Sequence, residues 1–357
     1  MVELHYLYGK PSGQGALRTQ NSDFLVQELL PFTATGEGEH HLLHIRKNGL
    51  NTAAVADMIA KFAGVHPKEV TFAGQKDKNA VTEQWFGVRI PGKETPDWQQ
   101  LNADNLHIIS SQRHSKKLRI GALMGNRFTL ILRDVSGLDD IQQRLEKIRQ
   151  HGVPNYFGEQ RFGHRGGNIA KAREMLAGKK VKDRNKRSLY LSALRSMLFN
   201  SVVSARLQQH PDALLAGDCV MLAGSHSFFV AESWDDVLKQ RLASQDIQLS
   251  APLWGRGLPL SQGDAREFET AVLADYGEDL DGLEHAGLSQ ERRPLLLFPQ
   301  AMSWTVVPEG LRISFVLPAG AYATSVLREL LDYTDVAERR WQQAIAEKEA
   351  QQDNKQA

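Results

Sequence analysis

One cysteine, Cys219, stands in 357 residues. A single thiol excludes an internal disulfide and a zinc site built from several cysteines, and it fits a reducing, cytoplasmic setting. No apolar run approaches the roughly 18 residues that a membrane helix needs. The opening Met1-Val2-Glu3-Leu4-His5 has no basic segment followed by a long apolar one, so no signal peptide is expected. Charge of one sign is also lacking. With 43 Lys and Arg against 42 Asp and Glu, the formal net charge is +1 and no global field announces a polyanionic partner. There is no Walker loop, no G-x-S-x-G elbow and no cluster with zinc spacing. His40 and His41 are adjacent, but neighbours on a strand point to opposite faces and no third ligand is suitably spaced, so no metal is expected there. No internal repeat is evident.

What is present begins with a core. Hydrophobic residues make up 41%, enough for two domains or for one large domain with an insertion. The most informative stretch is Ala73-Gly74-Gln75-Lys76-Asp77-Lys78-Asn79-Ala80. It lies between two short strand patterns, Glu69–Phe72 and Trp85–Ile90. A glycine allows a sharp turn or a close approach to a ligand. Lys76 and Lys78 would favour the ionised form of Asp77 and could also meet phosphate. A charged surface turn is the plain alternative. A helix over 51–64, capped by Asn51 or Thr52 and ended by Gly64, carries Val55, Met58, Ile59 and Phe62 on its expected core face. Together they place the Asp77 loop at the rim of a sheet, a usual position for reactive groups.

Further on, Phe24, Val26 and Leu29 suggest a strand with one apolar face, and Gly125–Leu132 a turn opening a strand. Ser136 is expected to cap a helix bearing Ile141, Leu145 and Ile148, closed by Gly152. The texture shifts near 152. From Arg161 to Arg187 ten Lys and Arg face two acids, a local charge of +8, and a helix over about 189–207 follows. At 264–284 eight acids accompany one arginine, which reads as a solvated face turned away from the basic run. Near 300 the texture shifts again, to a hairpin around Pro308-Glu309-Gly310 and a turn, Pro318–Ser325, leading into a helix. The charged, glutamine-rich end reads as a helix-prone tail.

A lone aspartate in a basic loop, basic segments and aromatics in glycine-flanked turns suit a nucleic acid whose base leaves its stack. Cations hold phosphates, aromatics stack on the base, and a carboxylate acts at the sugar or the base. The chain resembles tRNA pseudouridine synthase D, the TruD family. The resemblance is carried by Asp23–Glu28, Ala73–Lys78, Gly125–Phe128, Asn155–Gly163 and Leu317–Gly320, in family order across roughly residues 10–335.

The resemblance implies an α+β fold. A pseudouridine synthase catalytic core, a mixed and largely antiparallel sheet with flanking helices, would carry an inserted family-specific α/β domain. The core would be discontinuous, 1–151 with 301–340. The inserted TRUD domain would span 152–300 and a charged tail 341–357. The implied activity is isomerisation of uridine, typically at position 13 of tRNA, to pseudouridine. The implied partner is tRNA, with no cofactor, metal, membrane or protein partner, in a cytoplasmic monomer. By motif Asp77 is the catalytic aspartate, Phe128 takes the place of a stacking tyrosine, and Asn126 orients the loop or contacts the nucleotide. Phe24 and Tyr322 match aromatic positions lining the pocket, Tyr322 standing where a phenylalanine is expected. Arg18 matches a basic residue that pairs with the aspartate. Asn155–Gly163 is a signature to which no role attaches. Whether Asp77 attacks the sugar, adds to the base or removes a sugar proton stays open. A non-catalytic RNA-binding protein or tRNA chaperone on the same scaffold, and a base-excising glycosylase, are the alternatives.

Overall fold

The computed structural model describes residues 3–92, 94–210 and 213–356, and side chains up to residue 347. Met1 and Val2, where a leader would begin, and Ala357, at the end of the expected tail, lie outside the described residues. The fold is α+β and comprises two compact units. One holds residues 11–145, 299–320 and 330–357; the other holds 1–10, 146–298 and 321–329. Among the described residues no helix is long and apolar enough to cross a membrane.

The first unit is built on a ten-stranded, mainly antiparallel sheet. Its early strands are β1 (Gln14–Leu17), β2 (Phe24–Leu29), β3 (His40–Asn48), β4 (Val70–Phe72), β5 (Val81–Arg89), β6 (Leu106–His114) and β7 (Gly125–Ser136). The late hairpin, Gln300–Val307 with Gly310–Pro318, joins β7, and the order continues β7-β2-β5-β3-β6. β2 runs parallel to β5, and β1 runs parallel to Asp332–Asp335; the other pairs are antiparallel.

Alternation decides what each strand buries. In β2 the inward set is Phe24, Val26 and Glu28, not Leu29, because Leu29 has the opposite parity. In β3 it includes Leu43, Ile45 and Lys47, each fully buried. β7 is already a strand at Gly125, so Asn126 lies in the ladder and not in a turn. Helix α1, Thr52–Ala63, covers the β3–β5 part of this face. Asn51 accepts a bond from the Ala54 amide at its start, and Gly64, at φ 64°, closes it. Its buried stripe is Val55, Ala56, Ile59 and Ala60. Met58, expected inward, is 37% exposed, because two alanines bring the helix close to the sheet and rotate the stripe by one position. His40 and His41 open β3, and buried His41 accepts a bond from the Trp98 indole at 3.4 Å.

The second unit holds a four-stranded sheet, a short strand pair and several helices. Its longest helix, Arg184–Gln209, starts earlier than the apolar pattern suggests because Asp183 caps it, accepting from the Asn185 and Lys186 amides. Leu194, Leu198, Val202 and Val203 are buried, as the periodicity predicts. The acidic segment does not turn away from the basic one. Arg173 forms a two-pronged ion pair with buried Asp279, with bonds of 2.8–3.0 Å, and Glu269 is spent on buried Arg292.

Candidate active site

The Asp77 loop occupies a break in the sheet. One edge of β5 is paired first with β2, at Val81–Glu83, and further along with β4, at Phe86–Val88. Between those stretches the backbone N–H of Trp85 has no strand partner. The Glu28 carboxylate accepts it at 2.8 Å, which satisfies a donor that would otherwise be costly to bury. The other carboxylate oxygen of Glu28 meets Lys76 Nζ at 2.5 Å. Burial raises the pKa of Glu28, and Lys76 opposes that shift. Lys76 therefore turns inward, with its side chain 9% exposed, while Lys78 stays exposed.

Side chains from three elements fix the loop backbone. The Gln84 amide donates to the Gly74 carbonyl at 2.7 Å. The Thr52 hydroxyl, at the start of α1, accepts from the Lys76 amide at 3.0 Å and donates to Gln84 Oε1 at 3.0 Å. Lys47 donates from Nζ to the Leu50 carbonyl at 2.6 Å and to the carbonyl of Asp77 itself at 3.4 Å. Burial pushes the Lys47 ammonium down to about 8, against the pull of Asp77 and Glu28 and together with the repulsion of Lys76.

The Asp77 side chain is left reachable, 45% exposed, with its carboxylate 3.8 Å from the Arg18 guanidinium. Arg18 follows β1 and is 8% exposed. Its φ of 55° is rare outside glycine and is held by what its side chain grips. Nε donates to Asp335 at 3.1 Å, and Nη2 makes a second bond to the same carboxylate. The guanidinium also lies 5.5 Å from the centroid of Phe24. Phe24 meets Phe128 edge-on at 6.1 Å, and Phe128 lies 5.7 Å from Phe315. Asn126 shares that face, opposite Glu28 and Leu317 in the ladder. Its Oδ1 is buried without a hydrogen-bond partner, an unsatisfied acceptor of the kind found where a ligand group completes the shell. Within one unit the structure thus assembles Arg18, Phe24, Lys76, Asp77, Asn126 and Phe128.

Tyr322 belongs to the other unit, where Arg161 donates to its hydroxyl at 2.9 Å and Phe157 meets its ring edge-on at 6.0 Å. This gives Asn155–Gly163 a physical task. Asn155 bonds the Pro294 carbonyl and accepts from Arg293, whose guanidinium lies 4.2 Å from the Phe157 centroid. Asn200 makes reciprocal bonds to the Phe157 backbone. A Cβ on Gly158 would stand 2.6 Å from Thr324 Oγ1 and 3.0 Å from the Tyr322 ring, so glycine is what lets the two segments touch. The signature is a seat for the Tyr322 turn.

A family model described as tRNA pseudouridine synthase D (TruD) matches residues 2–182 and 169–330. The chain belongs to the TruD family. A "tRNA pseudouridine synthase D" of Shewanella oneidensis is 67% identical over 345 residues, covering 97% of this chain and 93% of the relative. One of Aeromonas salmonicida is 56% identical, covering 93% and 94%. A crystal structure of a candidate TruD from Methanosarcina mazei superposes with a TM-score of 0.71 at 20% identity, covering 92% of this chain and 95% of that one. The TruD fold thus extends over 92% of the chain. Within it, the positioning residue Thr52 stands at an expected cap position and Glu28 ends one of the motifs that carry the resemblance, while Lys47 and Gln84 are placed by the alternation of their strands. Asp335 carried no local signal, since its partner Arg18 lies 317 positions away.

Proposed function

We propose that the chain is an isomerase that converts uridine to pseudouridine in tRNA, with position 13 as the expected site, and that Asp77 is its catalytic residue. The reaction is balanced without a co-reactant. The bond from the ribose carbon to N1 breaks, a bond from that carbon to C5 forms, and the hydrogen displaced from C5 is matched by one gained at N1. The observation that carries the reading is the Arg18–Asp77 pair on a loop fixed from below at Gly74, Lys76 and Asp77. A reactive carboxylate needs to be reachable and aimed. Exposure supplies the first, and the loop bonds with the neighbouring Arg18 guanidinium supply the second. Phe24 and Phe128 give the extruded uracil an aromatic wall, Asn126 offers a free acceptor, and Lys78 meets phosphate at the rim. The unit holding residues 11–145, 299–320 and 330–357 serves as the catalytic domain, and 152–298, in the other unit, as the inserted one.

The test is Asp77→Asn. Mapping pseudouridine in an unmodified tRNA transcript should show product with the native enzyme and none with the variant, while both bind the tRNA with similar affinity. Full product from the variant would remove Asp77 from the chemistry. No product from the native enzyme on any tRNA would favour a non-catalytic RNA-binding protein.

A further inference from the structure

Residues 115–124 connect β6 to β7 and lie against the Asp77 loop. The Gly121 amide donates to the Ala73 carbonyl at 2.8 Å, and Leu123 Cδ1 is 3.9 Å from the Cβ position of Gly74. The connection is pinned at both ends. Leu118 is 1% exposed in a cluster with Leu42 and Ala73, and Ala122 and Leu123 pack on the same cluster. Gly87 makes room, since a Cβ there would come within 2.9 Å of Leu118 Cβ. Internal bonds from Ala122 to Arg119 and from Leu123 to Gly121 tighten the apex. At that apex Ile120 is 86% exposed, and Met124, where the chain enters β7, is 58% exposed. An isoleucine held outward between buried Leu118 and the partly buried Ala122 and Leu123 is displayed, not merely loose. The surrounding charge has one sign. Lys116, Lys117 and Arg119 are all exposed, and no acid occurs between Arg113 and Met124.

We propose that this connection is a wedge for the RNA substrate: Ile120, supported by Met124, packs between or against the bases next to the target uridine, and Lys116, Lys117 and Arg119 take the flanking phosphates. The proposal rests on the tRNA-isomerase reading and adds how the uridine is kept out of its stack. Removing a base from a stack leaves apolar neighbours uncovered, and a rigid apolar side chain covers them again, as apolar wedges do between base steps. The cations make an oligonucleotide, not an apolar protein face, the matching partner.

The experiment uses a tRNA transcript with 2-aminopurine beside the target uridine. Bound to the Asp77→Asn enzyme, which on the proposed reading should hold the RNA without turnover, its fluorescence should change. The further substitution Ile120→Ala should abolish most of that change, and Ile120→Leu should restore it. In turnover, Ile120→Ala should lower kcat/KM on folded tRNA about tenfold, the size expected when one side chain no longer packs on a base, while leaving the salt dependence of binding unaltered. Lys116→Gln with Lys117→Gln should do the converse and flatten the salt slope. Because Ile120 is exposed, the variant should fold as the native chain does, which its thermal midpoint verifies. Native fluorescence change and native kcat/KM in Ile120→Ala would overturn the wedge. Failure of the native enzyme to form pseudouridine would instead remove the functional reading, and the fluorescence measurement would still judge the wedge by itself.

Discussion

Lys47 is the residue whose surroundings contradict its chemistry most sharply. An ammonium at zero exposure is expensive to bury. Its pKa lies at about 8 against 10.5, so keeping it protonated costs on the order of 3 kcal/mol. The sign follows from where the proton sits. Below pH 8 both folded and unfolded chains hold it, and the full cost is present. As pH rises from 8 toward 10.5 only the unfolded chain holds it, and stability recovers. The cost is offset functionally, because the charged group grips the Asp77 and Leu50 carbonyls. Lys47→Met should therefore leave the thermal midpoint near or above the native value at pH 7, since the buried charge goes while the Leu50 and Asp77 carbonyls lose its two donated bonds. It should still lower single-turnover rate about tenfold or more by loosening the loop. The native rate should decline as pH rises through about 8, and Lys47→Met should lack that limb. An identical alkaline limb in the variant would assign the titration elsewhere. Sequence parity already puts Lys47 on the buried face of its strand, with Leu43 and Ile45. A lysine at such a position is a signal, but its partner could not be read, because the Asp77 carbonyl reaches it only through the loop's fold. The same holds for Lys76: flanking Asp77 in sequence suggests tuning of that carboxylate, yet the broken ladder at Trp85 draws Glu28 inward and Lys76 after it.

At the scale of elements, local chemistry is the better guide. The Asn51 cap and Gly64 stop of α1, the hairpin around Pro308–Gly310 and the buried stripe Ile141, Leu145 and Ile148 follow from capping, turn and period rules. Ser136 is not the expected cap, because β7 runs through it to its last residue. What could not be read is pairing between distant strands. No local feature says that Gly310–Pro318 lies on β7, with Phe315 opposite Phe128, or that β1 runs beside Asp332–Asp335. Those two registers bring residues from the end of the chain to the Asp77 site, and only the family resemblance anticipates the return of the last strands to the first. β5 supplies an element-scale prediction. Gly87 is where the strand lets Thr71 and Leu118 approach within 2.9 Å of its Cβ position. Gly87→Val should overpack this spot, lower stability by about 1–3 kcal/mol and shift the 115–124 connection. Thermal unfolding would register the first effect. A native midpoint together with native turnover would mean that the connection does not depend on Leu118 for its seat.

Over the whole molecule the near-zero net charge conceals a separation of charge along the chain. The basic run and the acidic run lie in one unit and partly neutralise each other. Arg173 is spent on Asp279 of the acidic run, and Lys179 on Glu174 within the basic run itself. The cations that follow, Lys180, Lys182, Arg184, Lys186 and Arg187, are exposed at and before the start of the helix Arg184–Gln209. They gather at a helix N-terminus, whose dipole is itself positive, and their mutual repulsion is relieved by a polyanion. An enzyme of +1 overall must attract tRNA through such local fields, which act within about a Debye length and fade with salt. Replacing Lys180, Lys182 and Lys186 together by glutamine should weaken tRNA binding at low salt. It should also reduce the slope of log affinity against log salt by roughly 0.7 to 0.9 for each phosphate no longer neutralised. Single-turnover rate at saturating enzyme should stay native, because these side chains steer and hold the RNA and take no part in the exchange of bonds at uridine. Binding titrations at several salt concentrations, with the rate measured at each, separate the two effects. An unchanged slope would return the run to the role of a solvated surface, and a reduced rate at saturation would place one of these lysines in the chemistry.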